Sequence, residues 1–164
     1  MDDKISKFLL QKYFENRTFT SHNIDSFNDF VKHGMQKIIN EVGEVVPDIL
    51  PMGVRDLRIK LGKIWVEKPV IKEADGSRRE ITPVEARLRN LTYEAPIFLE
   101  MSIMQNGEET EKQAVHIGDM PVMLRSKNCH LHGLDREAMV KEGEDPDDPG
   151  GYFIINGTER VLII

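Results

Sequence analysis

Two Asn-Gly dipeptides, Asn106-Gly107 and Asn156-Gly157, constrain the fold of this chain most strongly, because each lies between strand-like runs. Asparagine and glycine both tolerate positive φ, as the two central positions of a type I′ turn require. Each dipeptide therefore predicts a tight hairpin of antiparallel strands. In the second hairpin, a strand at 152–155 pairs with a returning strand at 158–164 that ends on four apolar residues. Because an unpaired apolar strand promotes aggregation, we expect either a strand tucked into a sheet or a chain that is the front piece of a longer polypeptide.

The spacing of apolar residues changes along the chain. Helical spacing extends to residue 46, and a stripe on the second helical segment predicts core packing. The stripe consists of Ile24, Phe27, Phe30, Val31, Ile38, Ile39 and Val42. From residue 54 onwards the apolar residues alternate with period two, and a change of parity after Gly62 predicts a β-bulge. Within this part, Thr82 as a cap and Pro83 at the first helical position predict a short helix.

These patterns predict an α+β fold, in which N-terminal helices precede a mainly antiparallel sheet with Asn-Gly hairpins and one inserted helix. The length of 164 residues suits a single domain, with a helical part at 1–46 and a sheet-rich part at 54–164. Turn geometry is expected where glycine stands beside aspartate, asparagine or proline. The residues concerned are Gly118, Asp119, Gly150, Gly151, Asn156 and Gly157.

Composition and motifs exclude several classes of protein. The net charge of −6 argues against a chain that binds nucleic acid over its whole surface, although a local basic face is compatible with it. The single cysteine, Cys129, excludes an intrachain disulfide. No apolar run approaches the length of a membrane span. We find no glycine-rich phosphate loop, Gly-x-Ser-x-Gly elbow or His-Glu-x-x-His motif, and therefore assign no catalytic residue.

Two segments offer side chains that bind metals. The first contains Cys129, His130 and His132, with His116 as a fourth candidate. Their spacing differs from the strong zinc spacings, so we expect a structural or solvated role and keep zinc as the alternative.

The second segment is the acidic stretch 135–148, which contains Asp145, Asp147 and Asp148. We interpret it as a solvated loop, with a short helix before it as an option. Asp148 precedes a Pro-Gly-Gly turn, where an aspartate side chain binds backbone more often than metal.

Basic residues are locally in excess. Between Arg55 and Arg89, ten Lys and Arg residues stand against six Asp and Glu residues. Arg58 and Lys60 alternate with apolar residues and are predicted to point outward, either along a phosphate backbone or as an ordinary polar sheet face. Arg125 and Lys127 are two positions apart, which predicts that they lie on the same side of a strand.

Three long stretches resemble the start of the second-largest subunit of multisubunit DNA-directed RNA polymerases, with the best match to archaeal and eukaryotic forms. They are HIGDMPVMLRSKNCHL (116–131), DPGGYFIINGTERVLI (148–163) and EARLRNLTYEAPIFLEM (85–101). The stretch PMGVRDLRIKLGKIWVEKP (51–69) is consistent with the same family. The resemblance covers nearly the whole chain in order. It favours an archaeal B-type subunit, because few residues precede the motifs.

The resemblance implies an incomplete part of the region called the protrusion, which forms one wall of the polymerase cleft. The family's enzyme is a nucleotidyltransferase that polymerises ribonucleotides on DNA with Mg²⁺, held mainly by the largest subunit. Zn²⁺ is bound farther along the second-largest subunit. This segment would therefore carry no catalytic residue, metal ligand or cofactor, and would contact nucleic acid without sequence specificity. Arg125 and Lys127 lie inside a matched stretch and are the residues we expect near nucleic acid.

The implied partners are the largest subunit, the other polymerase subunits, the rest of the same chain, DNA and the RNA–DNA hybrid, without a membrane. The implied location is cytoplasmic in an archaeon and nuclear in a eukaryote. Two alternatives belong to other classes. One is a stand-alone nucleic-acid or protein-binding module that shares the protrusion fold. The other is a small zinc enzyme built on Cys129, His130 and His132.

Overall fold

The computed structural model describes residues 3–16 and 19–162. Its described helices are α1 (Asp3–Asn16), α2 (Ser21–Asp29), α3 (Met35–Val42), α4 (Pro83–Leu88) and α5 (Arg136–Lys141), with a π-helical turn at Phe30–Gly34. Its described strands are β1 (Glu44–Val45), β2 (Leu57–Val66), β3 (Val70–Lys72), β4 (Arg78–Glu80), β5 (Glu94–Gln105), β6 (Glu108–Glu109), β7 (Gln113–Pro121), β8 (Phe153–Ile155) and β9 (Thr158–Arg160). The predicted α+β class is confirmed. None of the described helices is both long and apolar enough to span a membrane.

Backbone contacts divide the chain into two compact units. One, here called the turn unit, comprises Met1–Asn28, Thr82–Tyr93 and Val122–Ile164. The other, here called the sheet unit, comprises Asp29–Ile81 and Glu94–Pro121. The organisation of the whole chain as a single domain stays a prediction.

The sheet unit is built on one antiparallel sheet with strand order β1-β2-β5-β6, in which β7 also pairs with β5. The predicted β-bulge is confirmed, because Leu61 pairs with Met101 whereas Ile64 pairs with Leu99. Gly62 lies at this irregularity, where a Cβ would approach the Cβ of Glu100 to 3.0 Å. A side chain at residue 62 would therefore crowd the neighbouring strand.

The first Asn-Gly turn joins β5 to β6 as predicted. Asn106 and Gly107 have φ values of 52° and 91°. The turn predicted at Gly118 and Asp119 is wrong, because both residues lie within β7. The pairing of β7 with β5 shifts register between Ile97 and Phe98. The glycine therefore accommodates a bulge inside a strand and does not end one.

The core stripe predicted for the second helical segment is interrupted. A π-helical turn at Phe30–Gly34 follows α2 and replaces the regular α-helical spacing within the stripe. Phe30, Ile38 and Val42 are 44%, 52% and 52% exposed among the described residues. Met35, which the stripe did not include, is buried.

The turn unit has its own apolar core. Thr82 caps α4 as predicted, since its Oγ1 accepts a hydrogen bond from Glu85 N at 3.4 Å. The option of a short helix in the acidic segment is confirmed by α5, which Asp135 caps by accepting from Ala138 N at 2.8 Å. The core side chains, each at most 2% exposed, include Ala86, Tyr93, Val122, Leu124, Cys129, Leu131, Met139 and Ile154.

The second Asn-Gly turn joins β8 to β9, with φ values of 49° at Asn156 and 74° at Gly157. The returning strand is shorter than predicted, since β9 ends at Arg160, which pairs with the first residue of β8. The carbonyl of the preceding residue, Tyr152, accepts a hydrogen bond from Leu124 N at 2.9 Å. Residues 161–162 follow as an exposed extension, and the predicted strand residues 163–164 lie outside the described residues.

Candidate nucleic-acid interface

Arg125 and Lys127 lie in a series of turns that follows β7, and the prediction that they share one side of a strand is wrong. Ser126 N donates to Met123 O at 3.1 Å, and Cys129 N donates to Ser126 O at 3.0 Å. These short-range bonds close successive turns in place of a ladder. The two cations are therefore positioned by turn geometry.

The turns are fixed to the rest of the turn unit through backbone bonds. Leu124 N donates to Tyr152 O at 2.9 Å, and Gly151 N donates back to Leu124 O at 3.1 Å. His130 N donates to the hydroxyl of Tyr93 at 3.0 Å. The segment that carries Arg125 and Lys127 is therefore hydrogen-bonded to the rest of the unit before it, at Leu124, and after it, at His130.

Arg125 is half-buried and has a φ of 64°, in the left-handed region. Its Nε atom is buried without a hydrogen-bond partner in the described part of the chain, as is Oγ of Ser126. A Cβ at Gly150 would lie 2.9 Å from both Cβ and Cγ of Arg125. The stem of Arg125 is thus packed against the Pro-Gly-Gly turn.

Lys127 is exposed, and its backbone N donates to Oδ1 of Asn28 at 2.9 Å. This bond fixes the backbone at residue 127 and leaves the direction of the long side chain to other contacts. Both sequence-predicted cations therefore stand on anchored backbone, but only the stem of Arg125 is packed beside a glycine.

The predicted outward pair on β2 is accompanied by carboxylates. Arg58 contacts Glu44 at 3.2 Å and Asp56 at 3.1 Å, and Lys60 contacts Glu109 at 2.9 Å. These pairs are largely exposed, so they contribute little to stability. They nevertheless neutralise the cations, which favours the ordinary polar sheet face over a phosphate-binding face.

Among the described residues, no group of three or more His, Cys, Asp and Glu side chains is arranged to hold a metal ion. Cys129 is fully buried, and its Sγ accepts hydrogen bonds from the Tyr93 hydroxyl at 3.5 Å and from Leu131 N at 3.4 Å. Burial, together with the nearby thiol, raises the pKa of Tyr93. His116 belongs to the sheet unit, where Nε2 lies 3.0 Å from Oδ1 of Asp119. These contacts favour the structural role of Cys129 over the zinc alternative.

The aspartates of the acidic segment bind protein groups. Asp148 accepts from Gly150 N at 2.8 Å and from the hydroxyl of Tyr152, as predicted for a carboxylate at a turn. Asp145 accepts from Asp147 N at 2.9 Å. The hydrogen bond and charge of Arg136 lower the pKa of Asp147.

One site in the turn unit had no counterpart among the predictions. Arg87 donates from Nη1 to both carboxylate oxygens of Glu144, from Nε to Glu159 and from Nη2 to the hydroxyl of Tyr152. Burial alone would lower the pKa of Arg87, but the hydrogen bonds and charge of Glu144 raise it overall. The position of Arg87 inside a matched family stretch was the one signal that could have identified it.

Comparison with known proteins gives the family. A family model described as RNA polymerase beta subunit matches residues 18–164. The chain is 54% identical over 163 residues to the DNA-directed RNA polymerase subunit Rpo2N of Methanocaldococcus jannaschii, a match that covers 97% of this chain and 32% of that protein. It is 44% identical over 155 residues to subunit Rpo2 of Saccharolobus solfataricus, covering 94% of this chain and 13% of that protein.

A third relative, subunit Rpo2N of Halobacterium salinarum, is 42% identical over 161 residues, covering 94% of this chain and 31% of that protein. The chain thus spans less than a third of the length of each of these relatives. The matched family model includes all four stretches that carried the resemblance. The chain belongs to the RNA polymerase beta subunit family and corresponds to an N-terminal part of the archaeal second-largest subunit.

Proposed function

We propose that this chain is a non-catalytic segment of the second-largest subunit of a DNA-directed RNA polymerase. The observation that carries the proposal is the family match over residues 18–164, together with relatives named as polymerase subunits. Its partners are the largest subunit, the other subunits and the remainder of the second-largest subunit. It acts in the cytoplasm of an archaeal cell. The Mg²⁺ and Zn²⁺ of the whole polymerase are bound outside this segment.

The segment forms part of the protrusion, on the wall of the cleft, and contacts DNA and the RNA–DNA hybrid through phosphates. Arg125 and Lys127 support this role because both stand on turns that are anchored by hydrogen bonds. The cations Arg58 and Lys60 on β2 are paired with carboxylates and are therefore weaker candidates for this contact. Phosphate contacts carry no base information, so the binding is independent of sequence.

The test is a double substitution, Arg125→Ala with Lys127→Ala, in the assembled polymerase. Retention of DNA and of an RNA–DNA hybrid is measured across a range of salt concentrations on several unrelated sequences. We expect weaker retention on every sequence. We also expect a smaller salt dependence, by about 0.9 in the log–log slope for each duplex phosphate that the variant no longer neutralises.

The matched control is Lys112→Ala with Lys141→Ala, which removes the same charge from two exposed positions outside the turns. This control should retain nucleic acid like the parent enzyme. Equal retention and equal slopes for the two double variants would remove Arg125 and Lys127 from the interface. A loss of retention confined to particular base sequences would contradict contact through phosphates.

A further inference from the structure

Arg125 has an unusual backbone conformation for its residue type. Among the described residues, four that are not glycine have positive φ, and the other three are asparagines, Asn90, Asn106 and Asn156. Asparagine visits this region readily, whereas a long side chain does so at a cost. A conformation of this kind persists where the surrounding structure enforces it, and it occurs preferentially at functional sites.

The surrounding structure enforces this conformation through the Pro-Gly-Gly turn. Gly150, at a φ of 68°, approaches so closely that a Cβ there would lie 2.7 Å from Leu124 O and 2.9 Å from Arg125 Cβ. The bond from Gly151 N to Leu124 O ties the same turn to the same backbone. The absence of a side chain at residue 150 therefore allows the stem of Arg125 to lie where it does.

The guanidinium of Arg125 makes no hydrogen bond or ion pair with the described residues. Of the other described arginines, five each contact a carboxylate, namely Arg58, Arg79, Arg87, Arg89 and Arg136. The remaining three, Arg55, Arg78 and Arg160, are exposed. In a chain of net charge −6, a packed arginine without a carboxylate partner is a distinctive arrangement. Its packed stem reduces the freedom that binding an anion would otherwise remove.

We propose that Arg125 is the phosphate-binding residue of these turns and that Gly150 is a positioning residue that holds its side chain. The proposal rests on the proposed function and reduces the residues that contact phosphate from two, Arg125 and Lys127, to Arg125 alone. The ligand is a backbone phosphate of DNA or of the RNA–DNA hybrid. A guanidinium offers two parallel donors to a phosphate, which the point charge of a lysine cannot reproduce.

The experiment uses the assembled polymerase and four single variants, Arg125→Ala, Arg125→Lys, Lys127→Ala and Gly150→Ala. Retention of a preassembled RNA–DNA hybrid scaffold is measured against salt concentration. Arg125→Ala should weaken retention and reduce the log–log slope by about 0.7 to 0.9, the value for one neutralised phosphate. Arg125→Lys keeps the charge, so it should leave the slope of the salt dependence unchanged. It removes the two parallel donors of the guanidinium, so it should weaken retention. Lys127→Ala should match the parent enzyme.

Gly150→Ala tests the positioning role without changing any charge. A Cβ at this residue displaces the stem of Arg125, so retention should fall as in Arg125→Ala. If the polymerase with this variant does not assemble, the comparison of Arg125→Lys with Arg125→Ala still decides the phosphate-binding role. In the Arg125→Ala background, Gly150→Ala should cause no further decrease in retention, because the stem that it displaces is already absent. A further decrease would overturn the positioning role of Gly150.

Two outcomes overturn the proposal, and they differ from failure of the proposed function. If Lys127→Ala weakens retention and Arg125→Ala does not, the nucleic-acid contact stands but belongs to the lysine. If Arg125→Lys retains the scaffold like the parent enzyme, the contact requires charge alone and the guanidinium geometry has no role. The proposed contact itself fails only if the double variant of Arg125 and Lys127 also matches the parent.

Discussion

Arg87 Nη1 donates to both carboxylate oxygens of Glu144, at 3.0 and 2.8 Å, although the two residues lie 57 positions apart. The side chain of Glu144 is only 3% exposed, whereas that of Arg87 is 24% exposed. A carboxylate so deeply buried depends on its partner, because an unpaired buried charge is strongly destabilising. The pair joins α4 to the acidic segment within the turn unit.

Arg87→Ala is expected to lower the free energy of unfolding by about 3 kcal/mol, near the lower end for breaking a buried pair because Arg87 is partly solvated. Urea denaturation of the parent and variant chains measures the difference. Arg136→Ala is the control, since its ion pair with Asp147 is exposed on both sides, and it should have little effect. Equal decreases in stability for the two variants would show that the burial of Glu144 does not increase the cost of breaking its ion pair.

Gly157→Ala is expected to be more destabilising than Gly107→Ala. Both glycines have positive φ, so each substitution carries a backbone cost of about 1 to 2 kcal/mol. A Cβ at residue 157 would lie 2.7 Å from Asn90 Cα, whereas nothing lies within 4 Å at residue 107. The additional clash should contribute about 1 to 3 kcal/mol. Comparing the two denaturation midpoints isolates this clash, and equal midpoints would argue against the close approach at Asn90.

Glu94→Gln is expected to increase stability at neutral pH. Burial, assisted by the carboxylate of Asp119, raises the pKa of Glu94. Because the folded state holds this proton more tightly, the contribution of Glu94 to stability is fully present below its unfolded-state pKa. It is lost as the pH rises through the raised folded-state pKa.

Urea unfolding at about pH 4 and about pH 7 measures this dependence. Glu94→Gln should exceed the parent in stability at the higher pH and resemble it at the lower. Glu108→Gln, at an exposed strand residue, serves as the control. A lower stability of Glu94→Gln at neutral pH would mean that the ionised carboxylate is favourable where it lies.

The thiol of Cys129 is expected to be unreactive in the folded chain. Its side chain is fully buried and is contacted by the hydroxyl of Tyr93 and the backbone of Leu131. Alkylation under native conditions should be at least ~100-fold slower than in urea, because the thiol reacts only when the structure opens. Rapid alkylation under native conditions would show that the thiol is accessible and would support the alternative that Cys129 is a zinc ligand.

The sequence predicted local features well where the chemistry is local. Both Asn-Gly turns, the cap at Thr82 and the bulge beside Gly62 depend on residues that are close in the chain or on one alternation pattern. Gly118 shows the limit of this reasoning. The same residue type serves a turn or a bulge inside a strand, and the choice depends on the neighbouring strand.

The sequence offered Arg125 and Lys127 as candidates, and their role stays a prediction, but it did not predict how the chain arranges them. Residues two positions apart lie on one face of a strand, but the segment that contains Arg125 and Lys127 forms turns. Their turns are instead fixed by Tyr152 and Gly151, which lie about 25 residues away in the sequence. The buried position of Glu144 was also not predicted. A glutamate within an acidic run is expected to be exposed to solvent, and its partner Arg87 lies 57 positions away in the sequence.

Copurification from native cells decides the claim that this chain is part of an RNA polymerase. The native protein is tagged at its genomic locus, purified gently, and everything recovered is identified by mass analysis, with an untagged strain as the control. We predict recovery with the largest polymerase subunit in equal amounts and with RNA synthesis on a DNA template. Recovery of the tagged protein alone, without other polymerase subunits, would contradict the claim and favour a stand-alone binding module.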